Sequence, residues 1–264
     1  MTIESTSGSV KISSGPTATQ TIPSKVSLAT RNNQWFANHW LLTFNSAWGI
    51  FVTLPWLAPI FVALGLTWPG KALYFVYNFF CHQLPERSWF LFGPSFSYTQ
   101  AQIAEAWGQP LSVIGNELIR RHFIGTPELG WKVAWSDRMV AMYGSIFLFG
   151  LLYALLRERG IRVKRIPWWL FGLFILPLAV DGTTHLINDA LGLDFRQTNQ
   201  WAVLLTNNAC SADFYVDDLF GSLNSILRIV TGLLFGLGVV SFLWPMVDKE
   251  FSPQRIKKST NSSA

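Results

Sequence analysis

The sequence predicts an all-α fold, a polytopic membrane helical bundle, and three observations carry that prediction. Half of the 264 residues are apolar while only 13% are charged, against about a quarter in a water-soluble domain. The apolar residues collect in long uncharged runs. The basic residues crowd into two short stretches beside those runs, "RERGIRVKR" (Arg157 to Arg165) and "KEFSPQRIKK" (Lys249 to Lys258).

The runs set the number of spans. No charged side chain occurs from Trp40 to Gly70, from Met139 to Leu156 or from Ile229 to Val247, and Ile166 to Val180 reaches spanning length once Asp181 and His185 are admitted. A span needs about 20 residues, so four spans follow. The apolar part of Ala72–Leu84 is short for a crossing, which would put the amino terminus outside; with four spans, Trp68–Leu84 is expected as an interfacial or re-entrant helix, stopped by Pro85. Pro55 and Pro59 are expected to bend the first span.

Residues 1–34, rich in Ser and Thr, read as a disordered tail and lack the apolar core of a cleavable signal. The membrane domain is then 35–248, with an outer insert (90–135) and an outer loop (188–219), and a basic tail at 249–264. "RERGIRVKR" and the tail mark the cytoplasmic side, so both termini are expected there in a cell-membrane protein. The net charge of +5 is explained by these flanks, and nucleic acid is not an expected partner. The expected partners are the lipid bilayer and a membrane protein docked on the outer insert, which reads as helical over Thr99 to His122 with a break at Pro110.

This topology brings scattered polar residues to one level. Asp181, Thr184, His185 and Asn188 share one helix face, as do Asn224, Ser225, Arg228 and Thr231. A charge near the middle of a span costs about 2.5–3.5 kcal/mol on insertion scales, so the two stripes should face each other. An Asp181–Arg228 ion pair, or a network through His185, is the expected form. "GLLFG" (Gly232 to Gly236) has the spacing of a close helix approach, a frequent pattern in apolar segments. Trp168, Trp169 and Trp244 read as membrane-belt residues.

"FFCHQLPERSW", Phe79 to Trp89, holds the densest knot of polar groups. His82 with Glu86, or His185 with Asp181, has the composition of an oriented base, which makes His82, Glu86, Asp181 and His185 the catalytic candidates. Cys81, His82 and His185 are the candidates for metal binding, although the paired-cysteine spacing of zinc sites is missing. Cys81 and Cys210 both fall on the outer side, where a disulfide is compatible with the compartment. Nothing names a cofactor, since the phosphate-loop, dinucleotide and nucleophile-elbow patterns are all missing.

The string "CHQLPERSW" resembles the signature of an uncharacterised prokaryotic membrane family, domain of unknown function 2085. "WSDRMVAMYG" (Arg138, Tyr143, Gly144), "PLAVDGTTH" (Pro177, Asp181, Gly182) and "LRIVTG" (Arg228, Thr231, Gly232) follow in the family's order. The resemblance covers about Phe75 to Leu234 and departs where the family's two later cysteines stand as Ser136 and Met139. It implies the fold and the location of the site, but no reaction; the burial argument itself makes Arg87, Arg138, Asp181 and Arg228 the expected structural network. Three functions are therefore weighed: a structural, assembly or partner-binding subunit, placed first; a membrane enzyme or metal/redox protein with its site at the outer face; and a small-solute transporter, placed last because four spans and one cluster build no through-pathway.

Overall fold

A computed structural model describes residues 28–216 and 218–261. Two helices open the chain, α1 (Leu28–Ala63) and α2 (Thr67–Tyr77). A single 3-10 turn at Pro85–Arg87 then leads into strand β1 (Ser88–Leu91). Three short helices follow, α3 (Gln100–Trp107), α4 (Leu111–Ile114) and α5 (Glu117–Arg120). Strands β2 (Gly125–Thr126) and β3 (Gly130–Ser136) lead into α6 (Asp137–Glu158) and then α7 (Trp168–Leu191). Three more short helices, α8 (Phe195–Thr198), α9 (Gln200–Leu205) and α10 (Ala212–Tyr215), precede the long α11 (Leu223–Asn261).

Four segments are long and apolar enough to cross a bilayer: Gln34–Ala63, Asp137–Glu158, Trp168–Leu191 and Leu223–Phe251. Four spans place the start of α1 and the end of α11 at one end of the bundle, and Trp40 Nε1 donating to Asp248 there confirms the pairing of those ends. That end also carries the basic 157–165 turn, where Arg165 stacks over the Phe242 ring at 4.3 Å. The opposite end carries α2, the sheet and all the short helices.

The α6–α11 contact holds the bundle together. A Cβ on Gly232 would meet Ala141 Cβ and Met142 N, each at 2.9 Å, and one on Gly236 would meet Ser145 Cβ at 2.7 Å and Ile146 N at 2.9 Å. The two glycines therefore let α11 lie against the backbone of α6, which is the close approach that GLLFG allows. Ser145 seals the contact by donating to Gly232 O at 3.1 Å. By contrast, only 11% of the α7 span is buried, so α7 is peripheral and offers most of its surface to lipid.

The sheet was not expected from the sequence. Its order is β1–β3–β2, antiparallel throughout, with Phe90 opposite Lys132 and Leu91 opposite Trp131, and a bulge between Ser88 and Phe90. Its fully buried residues Val133, Ala134 and Trp135 pack with Tyr74, Tyr77, Cys81 and the α1 residues Val52, Ala58 and Val62. On the far side of the sheet, Phe90 joins Tyr98, Ile103, Ile114 and Phe123 in a small separate core. The insert is helical with a break at Pro110, as expected, and Pro110 stands as the N-cap of α4.

Four expectations need correction. The helix preceding the knot ends at Tyr77, not Leu84, because the chain turns at Asn78–Phe80 and Gln83 takes a left-handed φ of 56°. Trp244 is not a belt residue but is 5% exposed, packed against Trp40 and Phe44, while Trp168 and Trp169 do stand exposed. Cys81 and Cys210 are both free, one buried in the sheet core and the other exposed on a distant loop. Helix α1 already runs from Leu28, within the expected tail, whose residues 1–27 lie outside the described residues.

Candidate functional site

The polar stripe predicted on α11 is buried, and so is that on α7 except for Thr184, which is half-buried. Asp181, His185 and Asn188 are at most 5% exposed, and so are Asn224, Ser225, Arg228 and Thr231. Their partners differ from expectation. Arg228 binds Asp137 in a fork, Nε to Oδ1 at 2.8 Å and Nη2 to Oδ2 at 2.9 Å, and reaches Asp218 Oδ1 at 2.5 Å. Asp181 instead receives Arg138 at 2.8 Å and Arg196 at 2.5 Å. The Asp181–Arg228 pair is thus replaced by two neighbouring clusters, because Asp137 opens α6 beside Arg228 and the 194–199 turn carries Arg196 back over Asp181.

Arg87 links the knot to this network. Its guanidinium meets Asp189 at 3.0 Å and Asp218 at 2.8 Å. Burial opposes the charge on Arg87, but Asp218 and Asp189 outweigh it and hold its pKa above the usual value. Likewise burial works against an ionised Asp218, yet Arg87 and Arg228 hold its carboxyl well below the ordinary carboxylate range. The result is four aspartates (Asp137, Asp181, Asp189, Asp218) against four arginines (Arg87, Arg138, Arg196, Arg228), drawn from six segments. Paired and hydrogen-bonded, such groups escape the desolvation penalty that each would face alone.

Glu86 lies outside that set. It is 4% exposed and pairs with Arg120 of the insert at 2.9 Å, so the expected His82–Glu86 couple does not form. His82 is exposed. His185 sits 3.8 Å from Asp181, and Arg196 Nη2 approaches its Nε2 at 2.7 Å, so Arg196 separates the second expected couple. No group of three His, Cys, Asp or Glu residues among those described is arranged to hold a metal ion.

Sequence reasoning passed over Lys132. It is fully buried in β3, opposite Phe90, and its ammonium donates to the carbonyls of Gln83 at 2.5 Å and Arg121 at 2.9 Å. Burial pushes its pKa down to about 7, against the opposing pull of Cys81 and Glu86. The left-handed Gln83 holds this corner together: its N–H donates to Cys81 Sγ at 3.3 Å and its side chain to Tyr74 O at 2.8 Å. A lysine in a short strand betrays nothing in sequence of being buried.

A polar cleft opens where the insert meets the bundle. It is about 70 Å³, room for a few waters or one small group, and its lining includes Arg87, Arg120, His185, Asp189, Arg196 and Asp218. A second, of about 80 Å³, lies by Cys81, His82, Arg138 and Arg228.

Four spans, a charge network at one end and a small sheet over it define the class: a multi-pass helical membrane protein. The family described as "Predicted membrane protein (DUF2085)" matches residues 128–242, so the resemblance to that family holds, over the three later spans and the Arg138, Asp181 and Arg228 motifs. An uncharacterised protein of the archaeon Methanocaldococcus jannaschii is 26% identical over 213 residues, which cover 76% of this chain and 91% of the relative. No solved structure matches.

Proposed function

We propose that the chain is a non-catalytic membrane subunit, a structural, assembly or partner-binding component whose charge network is a clamp. One observation carries this reading: each of the four aspartates and four arginines gathered at the sheet end is already paired with another of the set. A general base must be within reach of a substrate proton, whereas these carboxylates are spent on guanidinium groups. The insert supplies the docking element, with Leu111, Leu118 and Ile119 exposed on α4 and α5.

The basic residues from Arg157 to Arg165, at the other end of the bundle, support a cytoplasmic position for that end and for both termini. The chain carries its own probe for this, because Cys210 is exposed and Cys81 buried. A membrane-impermeant thiol reagent is expected to label Cys210 in intact cells. Labelling only after permeabilisation would reverse the orientation.

The subunit reading is tested by purification from native membranes in mild detergent. One stoichiometric partner is expected, lost in the Leu118→Asp variant. A chain that purifies alone from its native membrane refutes it. A second reading, a membrane enzyme with its site at this face, has one observation in its favour: His185 leaves Nδ1 without a partner at the cleft. Loss of phenotype in His185→Ala at normal abundance would favour it.

A further inference from the structure

Helices α1 and α6 cross, and the crossing leaves grooves. At the basic end α1 leans on α11, where Trp40 and Phe44 pack against Trp244. At the sheet end it packs instead on Trp135 and Tyr143 through Phe51. The helices close on each other at Gly49, where a Cβ would lie 2.8 Å from the Phe147 ring.

From that point toward the basic end they part, and the groove between them has a volume of about 740 Å³. Among the described residues, its lining comes from α1 and α6 alone. Leu42 and Leu151, 65% and 44% exposed, lie at its rims, while the buried Leu41 and Asn45 lie at its floor. That floor is fixed, since Asn45 Nδ2 donates to Gly150 O at 3.1 Å. A second groove, of about 380 Å³, starts on the sheet side of Phe147 but opens toward α11, with Ile229 and Leu233 on its lining. Phe147 lines both and divides them, so no continuous trough follows α1 across the bundle.

Depth and charge identify what fills the larger groove. Phe147 stands at the middle of the Asp137–Glu158 span. From Phe147 to Glu158 the helix rises about 16 Å, which matches the depth of one leaflet, about half of a hydrocarbon core of roughly 30 Å. A partner's spanning helix needs a trough through both leaflets, whereas an acyl chain needs a trough through one. The open end carries Arg157 with Glu158, where the basic 157–165 stretch begins, and cations at that level attract lipid phosphates. Left empty, an apolar groove forfeits the dispersion contacts of its walls, so hydrocarbon is drawn in.

We propose that this groove holds one resident phospholipid from the leaflet at the basic end. An acyl chain lies between α1 and α6 as far as Phe147, and the phosphate lies beside Arg157. The site goes beyond the subunit reading and does not depend on it, because it faces the bilayer at the end of the bundle away from the insert.

The test uses the full chain in nanodiscs of phosphatidylethanolamine and phosphatidylglycerol, released and weighed by native mass spectrometry as the collision energy is raised. One phospholipid, of either headgroup, should stay on the wild-type chain after all others are stripped. Ser46→Phe and Leu151→Trp narrow the groove from α1 and from α6, and each should lower the retained fraction about tenfold. Both should keep the wild-type Tm, because the new rings enter open space and not a packed core. Leu186→Phe, on the exposed face of α7, should leave retention unchanged.

A wild-type chain that keeps no lipid overturns the proposal. So does equal retention in the wild type, Ser46→Phe and Leu151→Trp, which would make the lipid an ordinary annular one. A wild-type dimer or hetero-complex that carries no lipid also overturns it and gives the groove to a protein helix.

Discussion

The two ends of the bundle solve the same problem differently. At the basic end, Asp248 alone is the hub, accepting from Trp40 at 3.1 Å and Tyr153 at 3.0 Å and pairing with Arg157 at 2.9 Å. It ties three spans together while staying about a fifth exposed. At the sheet end, eight charges pair within two neighbouring clusters, and Arg228 and Asp137 are almost fully buried. One hub close to water needs only modest pairing; a buried set must balance throughout. The lesson is that the cost of removing a charge follows its burial and not its number of contacts.

The largest expected effect is therefore at the sheet end. Arg228→Leu strands Asp137 and Asp218 without their shared partner, and should cost about 3–5 kcal/mol, measured by denaturant unfolding in detergent. An equal loss in Asp248→Asn would break the comparison. Between the two ends, Gly236→Val should cost about 1–3 kcal/mol by pushing α11 off α6, with a lowered Tm and both hubs loosened.

Asp248→Asn itself should cost about 1 kcal/mol or less, since the pair it loses is partly exposed and the amide oxygen can still accept from Trp40. A last prediction, of a different kind, sharpens the contrast through pH. The Lys132 pKa falls to about 7 in the fold from roughly 10.4 unfolded. Between those values the unfolded chain binds the extra proton, so stability should rise with pH from about 7 to about 10. Lys132→Met should flatten that rise. A slope unchanged by the substitution would show that the ammonium stays charged in the fold.

Much of the fold was legible because a bilayer writes its demands in run lengths. Four uncharged stretches gave four spans, and the faces of Asp181–His185–Asn188 and Asn224–Arg228 followed from helical periodicity. What stayed hidden was what loops bring back. Arg196 and Asp218 sit in a segment that read only as an outer loop, and the 194–199 turn and the approach to α11 bury them. Asp137 looked like an ordinary first-turn acid, although an acidic residue opening a span beside Arg138 is a signal worth weighing. Glu86 was expected beside His82 because its actual partner, Arg120, lies 34 residues away in an insert with no periodic tie to the bundle. The strands escaped notice because β1 spans only four residues and its pairing with β3 bridges forty or more positions.

That pairing has a consequence for how such chains change length. Residues 92–129 leave from Leu91 and return next to its cross-strand neighbour, Trp131, so the whole excursion begins and ends within one strand spacing. It behaves as a cassette plugged into a socket, which can be lengthened, shortened or exchanged without re-threading the spans. Among the side chains of the cassette that fasten it to what lies beneath are Arg120, paired with Glu86, Arg121, bonded to Asn78, Ser97, accepting from Phe220 N, and Phe96, packed on Trp89 and Phe220. A tight hairpin in its place, with Glu86 made neutral, would leave the four-helix platform standing.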